Sequence, residues 1–150
     1  MLEGARTLGI PADATEQYPQ GLGTTDPSIL ELVEHVGEKL RFSAFGALEW
    51  MTDSQAGLAT PQVVLAGIET HVCVLQTGLD LLAAGFDVFV VVDAVCSRRA
   101  QDAEFALQRL RDSGGADVRR VRAVRVVRNR PGGGVQDDQP IGERARLTSH

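Results

Sequence analysis

Two rhythms of apolar and polar positions run along this chain, one with the spacing of a helix and one with that of a buried strand. They are clearest between residues 61 and 112. Thr60 to Ile68, TPQVVLAGI, carries a nearly continuous apolar run, which suits a strand covered on both faces of a sheet. After it, Val72, Leu75, Leu79 and Leu82 recur at helical spacing until Gly85, with Thr70 as the expected cap. Phe86 to Val92, FDVFVVV, predicts a second buried strand, and Ser97 to Gly115 predicts a helix capped by Ser97 with Ala103, Ala106, Leu107 and Leu110 turned inward. Strand, helix and strand joined by short connections imply a parallel, right-handed crossover. The expected fold class is therefore α/β, a three-layer arrangement with a mostly parallel sheet flanked by helices.

The flanks are less regular. Leu2, Ala5 and Leu8 are spaced as in the last turns of a helix, and Ile10 to Thr15 has room for a short strand before the Gly- and Pro-rich loop from Glu16 to Pro27. Ile29, Leu32, Val33 and Val36 share one helical face, so Ser28 to Gly37 predicts a short helix with Ser28 as its cap. Past Gly115 the pattern degrades. Arginines at alternate positions suggest a strand, and the Gly, Pro and polar residues from 131 onward have a disordered composition. Two regions are expected: a domain over residues 1–115 and an Arg-rich tail over 116–150.

Charge sharpens that boundary. Residues 1–115 carry 16 acidic against 7 basic side chains, whereas 116–150 carry 4 acidic side chains against 8 arginines. No aromatic residue interleaves with those arginines, so no nucleic-acid partner is expected. No apolar run is long enough to span a membrane and the N-terminus has no signal-peptide pattern, which makes a cytoplasmic location the expectation. The two cysteines, Cys73 and Cys96, form no CxxC pair and are expected to be reduced. Lys39 is the only lysine among 15 basic residues.

Chemistry in an open parallel sheet gathers where strands end and helices begin. Cys73 falls there, in the first turn of the helix that follows the expected 60–68 strand, where free backbone N–H groups and the helix dipole favour a thiolate. Spacing alone leaves two readings open, a nucleophile or a small core residue. His71 lies two residues from the thiol, and helix geometry points the two side chains apart.

The segment VVLAGIETHVCVLQTGLDLLAAGFDVFVVVDAVCSR, with TEQYPQGLG and GEKLRFSAFG upstream, resembles the isochorismatase-like family of cysteine hydrolases, over about residues 2–115. That resemblance implies a parallel six-stranded sheet, homo-oligomers and an Asp, Lys, Cys triad. It assigns the nucleophile to Cys73 and the triad lysine to Lys39. It also implies a non-proline cis peptide joining Ile68 to Glu69, with the backbone N–H groups of Glu69 and Cys73 forming an oxyanion hole. Gln17, Tyr18, Phe42 and Phe45 are possible pocket residues. The substrate implied is a small molecule with an amide or related bond; no metal and no cofactor are expected. The family acid ends a first strand that this sequence does not show, so the chain reads as truncated at its N-terminus and divergent after residue 115. A late start codon and a frame slip near Gly115 would explain both. The alternative is an inactive remnant serving as a binding or oligomerisation module.

Overall fold

The computed structural model describes residues 1–49 and 61–118; the Arg-rich tail expected from the sequence lies almost wholly outside them. Helix α1 (Leu2–Thr7) leads into strand β1 (Ala14–Gln17), two four-residue helices, α2 (Pro19–Leu22) and α3 (Pro27–Leu30), and strand β2 (Val36–Lys39). Strand β3 (Gln62–Ile68) is followed by one π-helical turn (Thr70–Val74) that runs into α4 (Leu75–Ala83). Strand β4 (Asp87–Cys96), helix α5 (Ala100–Asp112) and strand β5 (Ala116–Val118) complete the order.

All strand pairing among the described residues is parallel, as the crossover pattern required. β1 pairs with β2, while β3, β4 and β5 form a second sheet in that order. The alternation of side chains along β4 gives that sheet two packed faces. Val88 and Val90 join Val63, Val74, Leu81 and Leu110 in one cluster, so α4 and α5 cover this face. Val91 turns the other way and packs with Val118, Val64 and Phe89. Burying a side chain such as Leu81 stabilises the fold by about 1.5–3 kcal/mol. Gly78 lets α4 and α5 approach closely, since a Cβ there would stand 2.6 Å from Leu110 Cδ2.

Three local expectations need correction. The helix expected from Ser28 to Gly37 stops at Leu30, and Val36 to Lys39 is β2. Its apolar spacing was shared between a helical turn and a strand, and pairing with β1 decided the outcome: Glu34 donates to Ala12 O and Ala14 to His35 O at 2.8 and 2.9 Å. Asp26, not Ser28, caps α3, accepting from the Ser28 backbone N–H at 2.9 Å and from its hydroxyl at 2.6 Å. Thr70 and Ser97 are not caps either, because Glu69 and Arg99 occupy those positions. Thr70 Oγ1 is enclosed without a hydrogen-bond partner among the described residues, and Ser97 is engaged by His71.

Candidate active site

β2 ends at Lys39 and β3 ends at Ile68, both at the carboxyl edges of their sheets. The turn after β3 carries Cys73 back toward Lys39, and Nζ stands 3.5 Å from Cys73 Sγ. The thiol is free and half-buried. Strand, turn and helix thus bring together the two residues that the sequence singled out, across 34 positions of chain.

Lys39 is held on its other sides by oxygen. Nζ donates to Gln17 Oε1 at 2.7 Å, to the Phe42 carbonyl at 2.8 Å and to the Arg41 carbonyl at 3.3 Å. Gln17 in turn donates from Nε2 to the Leu40 carbonyl at 2.8 Å. Register explains this meeting, since Gln17 is the direct partner of Lys39 in the β1–β2 ladder. Gly37 supports the same strand from behind, where a Cβ would lie 2.5 Å from the Ala47 carbonyl oxygen. The segment after Lys39 is tied to α4 by a buried bond from the Ala44 N–H to Thr77 Oγ1 at 2.8 Å.

The peptide joining Ile68 to Glu69 is cis, as the resemblance implied. Glu69 begins the turn, and its carbonyl accepts from the N–H groups of Val72 and Val74. Its carboxylate receives Arg98 Nε at 2.8 Å and lies 3.6 Å from His71 Nδ1. That nitrogen is also 2.9 Å from Ser97 Oγ, while the His71 backbone N–H donates to the same oxygen at 3.3 Å. His71 Nε2 is 4.0 Å from Asp102 Oδ2. The imidazole therefore joins the turn to the β4–α5 loop and to α5. Sequence reasoning missed this role of Ser97, whose place before a helix made it look like a cap.

The remaining candidates are spread around the pair. Phe42 contributes its carbonyl, with its ring half exposed. Phe45 packs into the core beside Ala44 and Leu48. Tyr18 adopts a left-handed backbone conformation (φ 44°), its ring lying over Gly21. Asp13 stands at the far end of β1 from Gln17, about 13 Å away along the strand, with its carboxylate 3.1 Å from the His35 backbone nitrogen and from Nδ1. Two shallow depressions flank the pair, one of about 100 Å³ lined by Pro19, Gln20, Glu38, Lys39 and Leu40. The other, of about 210 Å³, is lined by His71, Leu75, Asp102, Phe105 and Ala106. Among the described residues no cluster of His, Cys, Asp or Glu is arranged to hold a metal ion.

A parallel α/β sheet that presents a residue from a strand-to-helix turn defines the class. Within it, the isochorismatase domain matches residues 1–122, and the chain belongs to that family. It is 46% identical over 114 residues to isochorismatase domain-containing protein 2 of Bos taurus, covering 76% of this chain and 55% of that protein. It is 44% identical over 118 residues to isochorismatase domain-containing protein 1 of Danio rerio, covering 76% of this chain and 40% of that one. The chain thus spans about half the length of the curated relatives it matches. Among solved structures, the MAR1 ribonuclease of Caenorhabditis elegans superposes with a TM-score of 0.73 at 40% identity, covering 82% of this chain and 64% of that one.

Proposed function

We propose that Cys73 is the nucleophile of a cysteine hydrolase that acts on a small molecule bearing an amide or related bond. The observation that carries this reading is the 3.5 Å approach of Lys39 Nζ to Cys73 Sγ. An ammonium beside the sulfur favours the anion that attacks. The thiolate adds to the carbonyl carbon and a C–S bond forms, while the backbone N–H groups of Glu69 and Cys73 receive the negative oxygen. Collapse of the tetrahedral adduct breaks the C–N bond. The departing nitrogen takes its proton from Lys39, and water then cleaves the thioester, releasing the acid and returning a proton to the lysine. Gln17, Tyr18 and Phe42, which contact Lys39 through a side-chain oxygen, a backbone N–H and a carbonyl, are the pocket residues of this reading. No cofactor enters the scheme, and assembly into homo-oligomers accompanies it.

The test is ammonia release from a panel of small primary amides, with mass spectrometry of the acyl adduct. The adduct is expected on the peptide containing Cys73, and Cys73→Ala is expected to remove both adduct and turnover. Equal turnover by Cys73→Ala would sink the reading, whereas neither adduct nor turnover in the unaltered chain would leave the module alternative, in which the chain binds or assembles without catalysis. The likeness to the C. elegans protein favours a second reading, hydrolysis of RNA. Cleavage of a labelled RNA that survives Cys73→Ala would support that activity from another part of the surface.

A further inference from the structure

We infer that Gln17 is a positioning residue that keeps the Lys39 charge directed at Cys73, an inference that rests on Cys73 and Lys39 acting as proposed above. The amide has one end that accepts and one that donates, and its two contacts demand opposite ends: Oε1 faces the ammonium and Nε2 faces the Leu40 carbonyl. Its orientation is therefore fixed by chemistry on both sides. Of the three oxygens on Nζ, those of Arg41 and Phe42 come from the lysine's own segment, two and three residues away. Gln17 is the acceptor that the neighbouring strand supplies, from 22 positions upstream, at the shortest of these distances. It anchors the end of a flexible four-carbon stem.

Neutrality is the second part of the role. The three oxygens that meet Nζ among the described residues all belong to uncharged amides, so none of them cancels the ammonium that the sulfur faces. A carboxylate in place of the Gln17 amide would hold Nζ equally well and remove most of its net field at the sulfur. Position and charge can therefore be separated by two substitutions at one site.

The experiment compares alkylation of Cys73 by iodoacetate, an anion, and by iodoacetamide, its neutral counterpart, resolved by peptide mass spectrometry. Both reagents consume the same thiolate, so its population cancels in the ratio of rates, which then reports the local field. Exposed Cys96 is the internal control. In the unaltered chain the iodoacetate-to-iodoacetamide ratio at Cys73 is expected to exceed that at Cys96 by about three- to tenfold, the range for unit charges about 6 Å apart at an effective dielectric between that of water and about half of it. Lys39→Met is expected to abolish the excess. Gln17→Glu is expected to abolish it with the lysine still present, and Gln17→Leu to reduce it by about half or more. Gln17→Met replaces Gln17→Leu if that variant does not fold. A purely structural role would slow or speed both reagents together and leave the ratio unchanged. An excess that Lys39→Met removes but every Gln17 variant keeps would overturn the inference and leave the hydrolase reading standing. No excess in the unaltered chain would overturn the Lys39 role itself.

Discussion

Thr70 and Lys39 show how differently two polar side chains fare around the same thiol, one three residues from it in sequence and the other brought to it by the fold. Among the described residues Lys39 meets three oxygens and a sulfur, while Thr70 Oγ1 is enclosed and unpartnered. A buried hydroxyl without a partner costs about 1–3 kcal/mol, and an apolar group of the same shape escapes that cost. Thr70→Val is therefore expected to leave stability unchanged or raise it by up to about 1 kcal/mol in urea unfolding; a loss above that size would show that the hydroxyl has a partner in solution. At this scale the sequence was legible where chemistry is rare. One lysine and a cysteine after a strand could be singled out by residue type and resemblance. Ser97 could not, because a serine before a helix reads as a cap whether or not an imidazole takes its oxygen.

Elements were legible where burial repeats and illegible where it does not. β3, α4, β4 and α5 each show a sustained apolar rhythm and each formed. Between Ser28 and Lys39 the rhythm was borrowed by two short elements, and only the partner strand, 22 residues away in register, revealed β2. Two predictions belong here. Gly37→Ala would drive a Cβ into the Ala47 carbonyl oxygen, 2.5 Å away, so either β2 or the turn beneath it must shift. A loss of about 1–3 kcal/mol is expected in denaturant unfolding, together with a smaller iodoacetate excess at Cys73, because Lys39 lies on the same four-residue strand. The second concerns the cap of α3. The Ser28 hydroxyl, and after it the Ser28 backbone N–H, hold the Asp26 carboxyl below its ordinary value of 3.8. The folded chain thus takes up that proton less readily than the unfolded chain does. The cap's contribution is full above the ordinary value and fades as pH falls through the lower, folded one. The stability difference between the unaltered chain and Asp26→Ala is expected to shrink on acidification through that window; a gap independent of pH would contradict the ionised cap.

In the whole molecule, the Lys39–Cys73 pair is one of the places where two parallel sheets meet. Sequence patterning implied one α/β sheet and gave the parallel direction correctly, yet periodicity describes each strand alone and says nothing about where hydrogen-bonded pairing is interrupted. The buried bond from Ala44 to Thr77 is one of the ties between the halves. Thr77→Val would leave the Ala44 N–H enclosed without its acceptor, and a destabilisation of about 1–3 kcal/mol is expected in thermal or denaturant unfolding. If the bond also sets the approach of the segment after Lys39 to the helix after Cys73, the iodoacetate excess at Cys73 falls in the same variant.

Dividing the pair between the sheets has a consequence for heat. Lys39 belongs to the β1–β2 ladder and Cys73 follows the β3–β4–β5 sheet, so an ångström of slippage between halves is felt at the sulfur before any strand comes apart. Warming is then expected to silence the chemistry several degrees below the temperature at which far-ultraviolet circular dichroism records melting. Cooling before that melting point should restore it fully, making Cys73 a thermometer for the seam between the halves.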